Sequence, residues 1–242
     1  MVMPAPQPTG ICVITEPDWQ PTVSAVEGRF VEASNATLLG TTADGEQVIY
    51  KPVAGARPLW DFDASTLAMR EVWTYRIDQA LGFNVVPETG MGTGPFGPGA
   101  VQRFVDATAD QAVVDLINAN DETVWPIAVL DIVVNNADRK VGHVLRAASG
   151  KLWAIDHGLT FHAEEKLRTV LWGFAGRRVP DDVIAAVGGL DVALRADLGK
   201  RFTADLGRSE LDALRLRVDS LLAAGRHPDP PEDRPAVPWP PY

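Results

Sequence analysis

The most informative stretch of this 242-residue chain is NNADRKVGH, residues 135–143, which is followed by Asp156 in the sequence AIDHG. Between them, VLRA and LWAI flank Ser149-Gly150, a pattern that predicts a short β-hairpin. If this turn is the centre of the hairpin, residues whose numbers sum to 299 face each other, and His143 opposes Asp156. Cβ atoms of directly opposed residues lie about 4.5–5.5 Å apart. We therefore expect an imidazole beside a carboxylate at the open end of the hairpin.

Asp138 belongs to the same predicted site, because only a short loop separates it from the hairpin. Carboxylate oxygens suit a divalent cation, and a carboxylate can accept the proton of a nucleophile. The three side chains together predict a metal-binding and acid–base site. The alternative is a polar loop whose Asn and Asp residues cap helices and turns.

The composition argues against several classes of partner. Lys and Arg number 22 against 32 Asp and Glu, which gives a net charge of −10. Nucleic-acid grooves and anionic-membrane patches need concentrated positive charge, so we expect neither nucleic acid nor a stable membrane association. The single Cys12 excludes an internal disulfide framework, and the N-terminus lacks the features of a secretory signal. A cytoplasmic location is the default expectation.

The N-terminal half reads as strands around one helix. Residues 25–53 are predicted to form consecutive short strands. Apolar residues from Ala64 to Leu81 then recur at three- and four-residue intervals, which predicts a helix that ends at Gly82. Residues 84–88 and 100–105 are predicted as two more strands. The segment between them is interpreted as a loop because it holds Gly90, Gly92, Gly94, Gly97 and Gly99.

The remainder of the chain is mostly helical in pattern. Asp110 is predicted to begin one helix, and Pro126 suits the first turn of another. A further helix is predicted to begin at Ser209, and its apolar stripe ends at Gly225. The tail, residues 226–242, carries seven prolines and is predicted to be neither helix nor central strand.

These patterns predict an α+β protein with a join near Val105. Two interpretations of the tail stay open: Trp239 and Tyr242 anchor it on the fold, or it is disordered and binds a protein partner. The predicted divisions are an N-terminal extension, 1–20, a small antiparallel β-rich N-lobe, 21–105, a mostly helical C-lobe, 106–225, and a proline-rich tail, 226–242.

The motifs resemble the catalytic and metal-binding segments of the protein-kinase-like superfamily. The Asn-x-Asp-Arg form is similar to that of phosphatidylinositol 3/4-kinases and HipA-type bacterial kinases. SNAT, YKP, RPLWDF and NNADRK further resemble a group of small bacterial phosphatidylinositol-kinase-like proteins. The resemblance covers roughly residues 28–162 and implies a bilobal kinase-like fold.

The resemblance also assigns roles to the predicted site. Asp138 matches the catalytic Asp that orients or deprotonates an acceptor hydroxyl, and Asp156 matches the metal-binding Asp. His143 stands where kinases place an Asn that holds a second metal. Since nitrogen suits Mn²⁺ better than Mg²⁺, either the metal preference is altered or the second site is lost. A histidine without a ligand role is the alternative.

Two further residues match the machinery that holds nucleotide phosphates. Lys51 matches the third-strand lysine, with a solvent-facing strand lysine as the alternative. Glu71 matches the glutamate that holds this lysine in place. A helical wheel puts Glu71 opposite the apolar stripe, so a solvated position stays open, with Asp78 as the substitute candidate.

The remaining matches are loops around the nucleotide. Ser34 and Asn35 occupy the place of the phosphate-covering loop, although the G-x-G-x-x-G of protein kinases is missing. Short polar side chains and free backbone N–H groups can still cradle phosphate. Gln102 and Phe104 belong to the linker whose backbone groups would contact adenine.

The resemblance thus implies a phosphotransferase that uses ATP with Mg²⁺ or Mn²⁺ and acts on a protein or small-molecule hydroxyl. The net charge of −10 disfavours a lipid interface. DHG replaces DFG and no Ala-Pro-Glu follows, so regulation by activation-loop phosphorylation is not supported. The alternative is a pseudokinase, a nucleotide-binding interaction module without turnover.

Overall fold

The structure is a computed structural model that describes residues 19–30 and 35–242. The N-terminal part of the described chain is an antiparallel sheet with strand order β1-β2-β3-β5-β4, and one long helix packs on it. These elements are β1 (Val23–Arg29), β2 (Leu38–Thr42), β3 (Gln47–Pro52), α1 (Leu67–Leu81), β4 (Thr89–Gly94) and β5 (Gly97–Arg103).

The C-terminal part is mostly helical and carries one small antiparallel sheet of order β6-β7-β8. Its elements are β6 (Ala107–Thr108), α2 (Gln111–Ala119), α3 (Trp125–Val134), β7 (Val144–Ala147), β8 (Leu152–Ala154), α4 (Asp181–Leu194), α5 (Asp197–Leu206) and α6 (Arg208–Ala224). The predicted α+β class is therefore confirmed. Among the described residues, no helix has the length and apolar character needed to cross a membrane.

Helix α3 lies at the centre of the main core. Asp131 is the one charged residue in its otherwise apolar sequence, and all of its residues except Pro126 are buried. Pro126 sits in the first turn, as predicted. The helix ends at Asn135, whose left-handed backbone (φ 55°) turns the chain sharply into the Asp138 loop. The buried helix thus fixes where this loop begins.

Helix α1 joins the two parts of the molecule. Trp73, fully buried on its inner face, contacts the edge of Phe202 in α5 with ring centroids 4.9 Å apart. The helix ends at Gly82 in the left-handed conformation, as the sequence predicts. Its predicted first turn, Ala64–Thr66, is a separate 3₁₀ turn that Asp63 caps.

The predictions for residues 84–99 are wrong. The glycine-rich segment forms β4 and β5, because its glycines allow close backbone approach rather than loop flexibility. A Cβ atom at Gly99 would lie 2.4 Å from the carbonyl oxygen of Lys51. Residues 84–88 are not a strand, since the Asp78 carboxylate accepts the backbone N–H groups of Val85 and Val86.

The register of the β7–β8 hairpin differs from the prediction by one residue. Opposed residues sum to 298, so Leu145 faces Trp153. The connection is longer than the assumed two-residue turn: the N–H of Ala147 donates to Lys151 O, which encloses three residues. Gly150 supplies the left-handed position (φ 88°) that such a loop needs.

The start of α6 also differs from the prediction. The helix begins at Arg208, and Gly207 before it, with a φ of 106°, separates α6 from α5. Ser209 does not cap it, because its hydroxyl donates to the Glu210 carboxylate. The predicted end at Gly225 is confirmed.

The proline-rich tail lies against the fold through its backbone. Ala236 O accepts hydrogen bonds from Thr169 N (3.0 Å) and Trp172 Nε1 (2.7 Å). Trp239 and Tyr242 are 89% and 75% exposed, so the interpretation in which these rings anchor the tail is wrong. The tail is nevertheless ordered along the helical part.

His227 is the buried side chain at the start of the tail. Its ring packs in a T-shaped arrangement against Trp172, with ring centroids 5.6 Å apart, and its Nδ1 lies 2.8 Å from Pro228 O. Burial lowers the pKa of His227 from its ordinary value near 6.5, and the opposing effects of the Pro228 carbonyl, Asp131 and Asp229 do not cancel it. The imidazole is therefore neutral at neutral pH in the folded protein.

This burial predicts a pH-dependent stability. The unfolded chain protonates His227 near pH 6.5 and the folded chain only at lower pH, so its contribution is complete above about 6.5 and is lost as the pH falls. Between about pH 6.5 and 5, His227→Gln should reduce the slope of unfolding free energy against pH by up to about 1.4 kcal/mol per pH unit. Urea unfolding at each pH measures it. His162→Gln, on a partly exposed loop, is the control, and an unchanged slope in His227→Gln contradicts the prediction.

Candidate active site

Lys51 is the second-last residue of β3 and lies between two carboxylates. Its Nζ donates to Glu71 Oε1 on α1 and lies 2.7 Å from Asp156 Oδ1. Burial alone would lower the pKa of Lys51, but the charges of Asp156 and Glu71 outweigh it and raise the pKa above its ordinary value. The lysine is therefore charged at neutral pH.

Glu71 is buried, with 4% of its side chain exposed. Its second oxygen, Oε2, accepts the backbone N–H of His157 at 2.9 Å. The solvated position considered for Glu71 is wrong, and so is Asp78 as its substitute, because Asp78 is occupied with the backbone of Val85 and Val86. One glutamate thus ties α1 to both Lys51 and the segment after β8.

Asp156 reaches this site through its backbone conformation. Ile155, and not Asp156, continues the hairpin register, since its N–H donates to His143 O at 3.0 Å. Asp156 then adopts a left-handed φ of 61°, which turns its carboxylate back beside His143 Nε2 at 3.3 Å. The predicted proximity is therefore present, although the predicted register is not.

The charge of Asp156 is stabilised where it stands. The neighbouring Lys51 ammonium lowers the pKa of this carboxyl far below its ordinary value, and this outweighs burial. Its side chain remains 49% exposed. Asp156 therefore presents an ionised carboxylate to the adjoining cavity.

His143 is oriented by the loop that carries Asp138. Its Nδ1 lies 3.0 Å from Asp138 O, and a carbonyl can only accept, so Nδ1 carries the proton. Burial lowers the pKa of His143, which keeps the ring neutral. Its Nε2 lone pair therefore faces the Asp156 carboxylate. The Nε2 lone pair and the carboxylate oxygens face each other, and both can donate electron pairs to a cation.

Asp138 lies at the tip of an ordered loop. The side chain of Asn136 accepts the N–H of Asp138 at 3.0 Å and donates to Asp131 Oδ1 at 2.9 Å. Lys140 Nζ lies 3.0 Å from Asp138 Oδ2. The Asp138 carboxylate is thus held by its own loop, with a cation beside it.

Arg139 is the fully buried support of the site, and the sequence reasoning missed it. It binds both oxygens of Asp131 on α3, and it donates to His143 O (3.1 Å), Ile155 O (2.9 Å) and His157 Nε2 (2.7 Å). The signal in the sequence is Asp131, a carboxylate inside the apolar run of α3, since a buried charge requires a partner.

A cavity of about 380 Å³ collects most of the predicted site residues. They come from both parts of the chain: Asn35, Lys51, Glu71, Asp138, His143 and Asp156 line it, and Lys140 joins them. Asn35 Oδ1 accepts the N–H of Arg57 at its edge, 2.9 Å away. Ser34 lies outside the described residues.

Gln102 and Phe104 do not line this cavity. The Gln102 side chain is buried in the sheet and donates to Thr89 Oγ1 at 2.8 Å. The backbone N–H of Phe104 is occupied by Gln47 O at 3.1 Å. The structure therefore does not bring these two residues together with the Lys51 cluster.

The fold is kinase-like. The structure is similar to the Helicobacter pylori proinflammatory kinase CtkA, with a TM-score of 0.54 and 14% identity over 86% of this chain and 98% of CtkA. It is also similar to the Golgi casein kinase, with a TM-score of 0.54 and 13% identity over 86% of this chain and 72% of that one. The Golgi casein kinase with Mn and ADP bound gives the same TM-score and identity.

The sequence comparison identifies the family. No protein-family model matches the chain. It is 38% identical to protein Rv2133c of Mycobacterium tuberculosis over 255 aligned positions, which cover 90% of this chain and 91% of Rv2133c. The chain belongs to the same family as Rv2133c.

Proposed function

We propose that this protein is an ATP- and divalent-metal-dependent phosphotransferase whose acceptor is a hydroxyl group of a protein or small molecule. The observation that carries the proposal is Lys51 held between Glu71 and Asp156, in a cavity that Asp138 also lines. The Asn-x-Asp-Arg form supports placement in the phosphatidylinositol 3/4-kinase-like and HipA-like branch. Residues 21–105 and 106–225 are proposed as two lobes, since residues from both ranges line the cavity.

The two lysines that line the cavity favour nucleotide phosphates as its ligand. The Lys51 ammonium faces the cavity beside Asp156, and Lys140 supplies a second positive charge. An ammonium is a compact partner for phosphate oxygens. A structural neighbour, the Golgi casein kinase, is known with Mn and ADP bound, which supports the same ligand class here.

The donor set fits one divalent metal ion. Asp156 would bind it through a carboxylate oxygen, and the lone pair of His143 Nε2 stands beside that oxygen. The metal would neutralise charge on the phosphates. Mg²⁺ and Mn²⁺ sites in such enzymes use one or two side chains and complete their coordination with phosphate and water. A nitrogen ligand favours Mn²⁺ of the two.

Asp138 is the residue proposed to receive the acceptor proton. As the acceptor oxygen forms its bond to the γ-phosphorus, the bond from that phosphorus to ADP breaks and the hydroxyl proton passes to the Asp138 carboxylate. Lys140, 3.0 Å from Asp138, offsets the negative charge around the transferred group. The Asn136 hydrogen bond fixes the loop during this transfer.

A pseudokinase is the second candidate function. Among the described residues, no group of three or more His, Cys, Asp and Glu side chains is arranged to hold a metal. His143 also replaces the Asn of active kinases. A nucleotide-binding interaction module without turnover is consistent with this reduced set. The exposed Trp239 and Tyr242 support a protein partner at the tail in either case.

Nucleotide binding is the first test of the proposal. ATP with Mn²⁺ or Mg²⁺ should raise the melting temperature of the full chain by mass action, and Asp156→Ala should remove the metal-dependent part. Lys51→Met should weaken ATP binding about 10-fold to 100-fold, because it removes a charge-assisted hydrogen bond. Lys200→Met, an exposed lysine on α5, is the matched control. No thermal shift of the wild type at millimolar ATP with either metal would reject nucleotide binding.

Turnover separates the two candidate functions. Asp138→Asn should retain ATP binding but lower the rate of ADP formation about 10²-fold to 10⁴-fold, as expected for the loss of a positioned acid–base group. ADP release is measured in the presence of lysate fractions, and labelled ATP shows which molecule in a fraction accepts the phosphoryl group. Full activity in Asp138→Asn assigns Asp138 a structural role only. ATP binding without any ADP formation in the wild type supports the pseudokinase.

A further inference from the structure

A second cavity, of about 580 Å³, lies between α6 and the tail. It shares no lining residue with the candidate active site. Apolar side chains from several segments form most of its wall: Ile132, Leu167, Trp172 and Leu221. Its volume is in the range of small-molecule sites, about 300–1,000 Å³.

Buried polar atoms without partners are concentrated at this cavity. Within the described residues, seven buried side-chain nitrogen or oxygen atoms lack a hydrogen-bond partner, and three belong to residues that line it. They are Arg217 Nη2, Arg234 Nε and His227 Nε2. Arg217 Nη2 and Arg234 Nε are N–H donors, whereas His227 Nε2 carries a lone pair because its Nδ1–H faces the Pro228 carbonyl. Since buried polar groups are normally hydrogen-bonded, the two donors without partners point to a ligand that offers acceptor oxygens.

Arg217 is the main charge of the cavity. Its Nε donates to Val133 O at 3.1 Å and its Nη1 to His162 O at 3.4 Å, so its described partners are two neutral carbonyls. Burial lowers the pKa of Arg217 to about 10, and Glu165 opposes this only in part. A guanidinium without a paired anion is costly to bury.

The arginine of the tail is already paired with carboxylates, whereas Arg217 is not. Arg234 lies 3.6 Å from Glu165 and 3.4 Å from Asp233. Arg226 and Asp229 also line the cavity. Among the described residues Arg217 donates only to the carbonyls of Val133 and His162, so its guanidinium is the charge that an anionic ligand would pair.

We propose that this cavity binds a small molecule with one anionic group and an apolar body, of which a medium-chain carboxylate is the simplest representative. Its carboxylate would accept hydrogen bonds from Arg217 Nη2 and Arg234 Nε, which lack partners in the fold. Its apolar chain would lie against Leu167, Trp172 and Leu221. The proposal does not rest on the phosphotransferase function.

Calorimetric titration of the full chain with octanoate tests this site. Octan-1-ol and octylammonium serve as probes of equal chain length without the anion. Octanoate should bind with a stoichiometry of one, octan-1-ol at least about 10-fold more weakly, and octylammonium not at all. Absence of octanoate binding at millimolar concentration, or equal binding of octanoate and octan-1-ol, overturns the proposal.

Variants then assign the binding to the cavity. Arg217→Met keeps the apolar stem and removes the guanidinium, so it should weaken octanoate binding at least about 10-fold and leave octan-1-ol binding unchanged. Arg208→Met, exposed on the same helix and paired with Asp212, is the matched control. Arg234→Gln gives an independent variant on the tail if Arg217→Met does not fold. Wild-type octanoate affinity in the folded variants overturns the proposal.

Discussion

The arrangement of the site depends on the ion pairs of Lys51. A lysine at the end of β3 contacts Glu71 from α1 and Asp156 from the segment after β8, so three distant parts of the sequence meet at one ammonium. Glu71 is almost fully buried, and a buried carboxylate without its cation would be costly. The pairing therefore holds α1 against the sheet and, at the same time, leaves the half-exposed Asp156 facing the cavity.

A second network, of hydrogen bonds around Arg139, connects the same site to α3. Arg139 joins Asp131 of the central helix to the carbonyls of His143 and Ile155, which are the two sides of the hairpin's open end. His157 belongs to both networks, since its N–H donates to Glu71 and its ring contacts Arg139. Hydrogen bonds therefore connect α1 to the loop that carries Asp138 through His157 and Arg139.

The sequence predicts this site better than it predicts the surrounding strands. Periodicity and the terminal Gly82 indicate α1, and an apolar run with Pro126 in its first turn indicates α3, because these are local features. The glycine-rich segment was misinterpreted, since the need for Gly99 comes from Lys51, a residue far away in sequence. The predicted hairpin register was wrong because one extra loop residue cannot be recognised from composition. Arg139 was missed as the support because Asp131 requires a buried cation only if α3 is buried on all sides, and the sequence does not show which cation that is.

A double-mutant cycle on Lys51 and Glu71 tests the central claim most directly. Unfolding free energies of Lys51→Met, Glu71→Gln and the double variant are compared, with the exposed Arg208–Asp212 pair on α6 as the reference. Breaking a buried pair costs about 3–5 kcal/mol, so the double variant should cost at least about 1 kcal/mol less than the sum of the single variants. The reference pair should be additive within about 0.5 kcal/mol. Additivity at Lys51 and Glu71 would contradict the account, because the site would then not depend on their interaction.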